Sequence, residues 1–208
     1  MKKLISLFLL ACLYGCASSK TTVRSYTDPT AGTRRLSAIA VLPMRNAAVA
    51  QAESIRMNRE VAQTVQRQNP QLKVLGPVEA VQLLNQHNLV AEYDLYLTTL
   101  AQSGIPNAEI MRRIGQALQV DAIMQGQIVG LFQQDGAYGR NAGITKFTLR
   151  YSIVSTQDGL LLWETFGDVD ERTATTVENA PALELVLPKA TAIILKSIPR
   201  FAFAGGSS

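Results

Sequence analysis

Ser37-Ala38-Ile39-Ala40-Val41-Leu42, closed by Pro43, is the stretch that most limits the fold. A short unbroken apolar run reads as a strand buried on both faces, and such a strand needs helices above and below it. The following sequence supplies them. Glu53–Gln68 places Ile55, Val61, Ala62 and Val65 near one helical face and ends at Asn69-Pro70. Lys73–Leu75 is a short strand stopped by Gly76, and Pro77 suits the first turn of a helix running to about Gln86. Glu92–Gln102 reads as a further helix, broken at Ser103-Gly104-Ile105-Pro106. Asn107 is placed to cap the next one, in which Ile110, Ile114 and Leu118 share a side.

The second half changes period. Ala122–Phe132 is a long strand in which Gly126 and Gly130 mark a bulge or a close approach. Lys146–Ser155 alternates, with Phe147, Leu149, Tyr151 and Ile153 on one face and Thr148, Arg150 and Ser152 on the other, as in a half-exposed antiparallel strand. Asp158-Gly159 is a turn, and Leu160–Phe166 returns as a strand carrying Trp163. Ala182–Ile198 is a last helix containing Pro188, and residues 201–208 read as a tail. The chain order is β-α-β-α-α-α-β-β-β-α. It implies an α/β (or α+β) domain over residues 36–200, built on a single mixed sheet with helices packed on it.

The N-terminus has a different character. Lys2-Lys3 precedes the apolar run Leu4–Tyr14, which has the length of a secretory signal and is too short to span a bilayer. Leu13-Tyr14-Gly15-Cys16 resembles the lipobox of bacterial lipoproteins, with bulky Tyr14 as its one departure. The resemblance implies a signal peptide over residues 1–15, cleavage before Cys16, a diacylglycerol thioether on its sulfur and an acyl chain on its amino group. Cys16 would then be followed directly by Ala17 and Ser18 rather than by Asp. By resemblance to enterobacterial sorting, this implies the outer membrane, on its periplasmic face. Residues 16–35 are rich in Ser, Thr and charge, with Pro29 and Gly32 as breakers, and read as a flexible tether of up to about 60 Å when extended.

Composition narrows the chemistry. The formal charge of +4 includes Lys2 and Lys3, which leave with the signal; the remainder, near +2, gives no reason to expect a nucleic-acid partner. Both cysteines, Cys12 and Cys16, lie at the N-terminus, so a mature domain has no thiol or disulfide and depends on its core.

Three segments carry a family resemblance. Ile39-Ala40-Val41-Leu42-Pro43-Met44 resembles the opening strand of a group of bacterial envelope lipoproteins. Val120-Asp121-Ala122-Ile123-Met124-Gln125-Gly126-Gln127-Ile128 is similar to their helix-to-strand step, and Asp158-Gly159-Leu160-Leu161-Leu162-Trp163-Glu164 to their late hairpin. The group includes the penicillin-binding-protein activators, the curli-secretion channel lipoprotein, and relatives built like the N-terminal domain of the Tol-system propeller protein. The resemblance implies a fold and an envelope setting, not a reaction. The hairpin around Gln133–Phe147 is short and polar, unlike one that builds a membrane barrel, and a short tether departs from the synthase activators.

Catalytic signatures are sparse. His87 is the one histidine and reads as the end of a helix rather than a metal ligand. Gly136–Gly143 lacks a phosphate-loop ending; it reads as a hairpin loop in which Tyr138, Gly139 and Arg140 are the candidate partner contacts. Asp168, Asp170 and Glu171 are the candidates for paired acids in glycan hydrolysis, against a solvated strand end. The sequence therefore implies a non-enzymatic binding or assembly factor without cofactor. Its partners would be the membrane, through the lipid, and another envelope protein or copies of itself. A peptidoglycan- or glycan-acting enzyme and a small-ligand-binding module are the alternatives.

Overall fold

In the computed structural model, residues 18–44, 51–137, 141–174 and 178–204 are described. Cys16, Tyr138, Gly139 and Arg140 lie outside them. The strands are β1 (Ser18–Thr27), β2 (Arg35–Leu36), β3 (Ala38–Val41), β4 (Lys73–Leu75), β5 (Ala122–Gln134), β6 (Ile144–Ser155), β7 (Leu161–Arg172) and β8 (Ala202–Phe203). The helices are α1 (Gln51–Gln68), α2 (Pro77–Gln86), α3 (Val90–Ser103), α4 (Ala108–Leu118) and α5 (Leu183–Ile194), the last followed by a 3-10 turn, Leu195–Ser197.

Six strands form one mixed sheet in the order β1-β7-β6-β5-β3-β4. β4, β3 and β5 are parallel, and β5, β6, β7 and β1 form an antiparallel meander. The fold class is the expected α/β one. β3 is buried along its whole length, which explains why its sequence is apolar without alternation.

Each sheet face carries its own core. On one, Ile39, Val41, Met124, Leu149 and Trp163 meet α1 through Met57, Val61 and Val65, and α5 through Leu187, Ala190 and Ile194. On the other, Ala38, Ala40, Leu42 and Ile123 meet Leu84 of α2, Leu97 of α3 and Ile114 of α4. Each fully buried large aliphatic side chain contributes about 1.5–3 kcal/mol, so the two layers supply the stability that disulfides give smaller secreted domains.

Local devices fix the ends. Asn107 caps α4, its side-chain oxygen accepting from Glu109 N and Ile110 N at 3.1 Å each. The Asp121 carboxylate accepts from Ser37 N at 2.6 Å, Ser37 Oγ at 2.6 Å and Ala38 N at 3.1 Å, tying the entrance of β5 to that of β3. His87 is the C-cap residue of α2. Gly130 adjoins a register shift in β5, and Gly159 turns the β6–β7 hairpin at φ +72°.

Three expectations are corrected. Residues 18–27 are not tether: they are β1, antiparallel to β7 from Ser18↔Arg172 to Thr27↔Trp163. β7 does not stop at Phe166 but runs to Arg172, since Val169 still points into the core while Asp168 and Asp170 face out. The tail is not loose at its start: Phe201 is buried and β8 pairs with β2. The body therefore extends beyond residues 36–200 at both ends.

Candidate functional site

The strand alternation of the meander sorts its residues. Opposite the face packed on α1 and α5 lie Lys20, Thr22, Arg24 and Tyr26 of β1, Glu164, Phe166, Asp168 and Asp170 of β7, and Lys146, Thr148 and Arg150 of β6. The α2–α4 layer packs on β3, β4 and the start of β5, and leaves most of this polar face open.

The acids on that face are clasped from both sides. Asp168 accepts from Arg24 at 2.9 Å and from Thr148 Oγ1 at 2.8 Å. Asp170 pairs with Arg172 and Lys146, each at 3.0 Å. The Arg172 hydrogen bond, helped by Lys146, holds the Asp170 carboxyl below the usual carboxylate range against the opposing effect of partial burial. A general acid for glycan cleavage needs the opposite shift. Glu164 takes Arg150 at 2.6 Å, and that guanidinium lies 5.6 Å from the Phe166 ring centroid. The sequence candidates Asp168 and Asp170 are thus brought together as ion-paired rungs of a ladder, while Glu171 alternates to the other side of β7.

Where α3 overhangs this face, Tyr93, Tyr96, Leu97, Gln125, Gln127 and Arg150 line a slot of about 40 Å³. The Tyr93 hydroxyl donates to Gln125, and Gln125 Nε2 donates to Pro43 O at 2.8 Å. Burial pushes the Tyr96 phenol up to about 12. Slots for small ligands usually have several hundred Å³, so this one suits water or a few atoms. Among the described residues no group of three His, Cys, Asp or Glu could hold a metal ion. No helix among the described residues is long and apolar enough to cross a membrane.

The candidate site is instead an edge. β1 is the terminal strand of the sheet and is 10 residues long, against three for β4 at the other end. Its outward N–H and C=O groups meet no strand among the described residues, which makes it a template for a further strand. β5 has a second bare edge, because β3 pairs with it only from Ala122 to Met124. Val129 and Phe132, about half exposed, lie beyond that point. Sequence reasoning missed β1 because its one inward aliphatic is Val23; the signal present was β-branched and aromatic content in Thr21, Thr22, Val23, Tyr26 and Thr27.

No protein-family model matches the sequence, and no curated protein sequence matches it. Solved structures do match. The PelC dodecamer from Paraburkholderia phytofirmans matches 87% of this chain and 99% of its own, at 13% identity and a TM-score of 0.50. The chain is similar in fold to a PelC subunit. Two weaker neighbours are lipoprotein GNA1162 from Neisseria meningitidis and the LpoB C-terminal domain from Salmonella enterica. GNA1162 matches 76% of this chain and 94% of its own, at 15% identity and a TM-score of 0.43. The LpoB domain matches 64% of this chain and 81% of its own, at 14% identity and a TM-score of 0.37.

Proposed function

We propose that this chain is an outer-membrane-anchored periplasmic lipoprotein that acts, without catalysis, as a binding or assembly factor for an envelope protein complex. The observation that carries the reading is the bare edge of β1, which begins two residues after the lipobox cysteine. A lipid on Cys16 would concentrate that edge at the membrane, and strand addition would supply backbone hydrogen bonds to a partner. Because the PelC neighbour was solved as a dodecamer, another copy of this chain is the first partner to test.

The test is in-cell photocrosslinking from Tyr26, which is half exposed on β1, with the same probe at Gln82 as a control, exposed on α2 at the β3–β4 end of the sheet. A discrete protein adduct from Tyr26, including a self-adduct, supports the reading. No adduct from Tyr26, or equal adducts from both positions, contradicts it.

A further inference from the structure

The reach of the anchor is set by where β1 begins. Only Ala17 separates Cys16 from Ser18, and two peptide steps span no more than about 7 Å. Ser18 is in register with Arg172, Arg172 with Ile144, and Ile144 with Gln134. These residues form one row across the end of the meander, on the order of 14 Å wide at the spacing of neighbouring strands. The opposite end is the row Thr27, Trp163 and Ile153. β1 is 10 residues long, so the two rows stand about 30 Å apart at the rise of a strand.

We propose that the row Ser18–Arg172–Ile144–Gln134 is the end of the protein that rests on a phospholipid bilayer. It does so because the anchor leaves no slack; the proposal rests on the lipid-anchor reading above. A tether of residues 16–35 would have let any face turn to the membrane. With residues 18–27 locked into the sheet, the row cannot leave the headgroup region unless β1 peels from β7.

Charge does not supply the contact. Among the described residues near the row, Lys146 and Arg172 are both engaged by Asp170, and Lys20 lies opposite the same residue in the β1–β7 register. Asp135 accepts from Ala180 N at 2.7 Å, and Glu171 and Glu178 add negative charge. Among the described residues near the row the acids Asp135, Asp170, Glu171 and Glu178 outnumber the bases Lys20, Lys146 and Arg172, which gives the end no net attraction to anionic lipid and leaves placement to the tether. The far turn, Thr156–Gly159, is carried away from the lipid.

Depth-dependent quenching tests this. The mature chain has no thiol besides Cys16, so Ala174→Cys and Gln157→Cys each give one site for a fluorophore; both positions are exposed, one beside the row and one in the far turn. The lipidated protein is placed in vesicles of phosphatidylethanolamine and phosphatidylglycerol carrying a headgroup nitroxide lipid. Quenching at Ala174→Cys is expected to exceed that at Gln157→Cys at least threefold. Equal or reversed quenching overturns the proposal. A Cys16→Ser protein is expected to stay off the vesicles in flotation; if it floats and keeps the same quenching pattern, the tether is not the cause and the proposal falls. An intact mass lacking the acyl chains overturns the anchor reading itself, before quenching is measured.

Discussion

Arg24 donates to Asp168 at 2.9 Å across 144 positions of sequence. An exposed ion pair of this kind contributes no more than about 1 kcal/mol. Its interest is positional: it sits in a backbone ladder that fastens Ser18–Thr27 to the last long strand.

Hydrogen exchange will distinguish a strand from a tether over residues 18–27. In an antiparallel edge strand, every second amide points at its neighbour. Alternate amides of β1 are expected to be protected and the intervening ones to exchange freely. Uniform fast exchange would refute the pairing with β7.

Gly115→Ala is expected to lower stability by about 1–3 kcal/mol, as overpacking does. A methyl there meets Thr156 at Cβ, Oγ1 and Cγ2. Thr156 cannot turn aside cheaply, because its Oγ1 donates to Val120 O at 2.8 Å. Gly32→Ala, with nothing within 4 Å, is the comparison and should leave Tm nearly unchanged. Thermal unfolding of both variants decides it.

Asp121→Ala should cost about 2 kcal/mol in urea unfolding, because it leaves Ser37 N and Ala38 N without their charged acceptor. A loss below a few tenths of a kcal/mol would show that the clasp between β3 and β5 is ornamental.

Asp170 gives a pH signature. Its folded carboxyl lies below the ordinary value of 3.8, so the folded chain binds fewer protons than the unfolded one in the acid range. Its contribution is present above the unfolded value and is lost as pH falls through the folded one. Asp170→Asn should therefore lower Tm slightly at pH 6, by the equivalent of at most about 1 kcal/mol for so exposed a group. The difference should shrink at pH 3 and below. A difference that grows on acidification would contradict the assignment.

Much of the fold was legible because its helices and inner strands carry regular patterns. The apolar run of β3, the alternation of β6, the Asn107 cap and the Asp158-Gly159 turn each appear where the residues place them. What failed was the outer meander. The β1 strand buries little beyond Val23, so no two-residue hydrophobic period marks it. The end of β7 looked like a solvated terminus because Asp168 and Asp170 alternate with Gly167 and Val169, and one inward valine is a weak signal. The candidate edge was illegible for the same reason: an edge strand over an open polar face is not required to be apolar. Asp121 was legible only as part of a motif; its three hydrogen bonds supply the reason for it.

The partnership of β1 with β7 also sets an order of events. A chain made amino end first delivers Ser18–Thr27 long before Leu161–Arg172. Until the later segment arrives, the earlier one has no ladder to join, and closing so long a loop delays pairing. The amino-terminal edge strand is therefore the last of the sheet to be completed. During that interval the free side of β7 is a vacant berth, open to the wrong chain as well as to the right one.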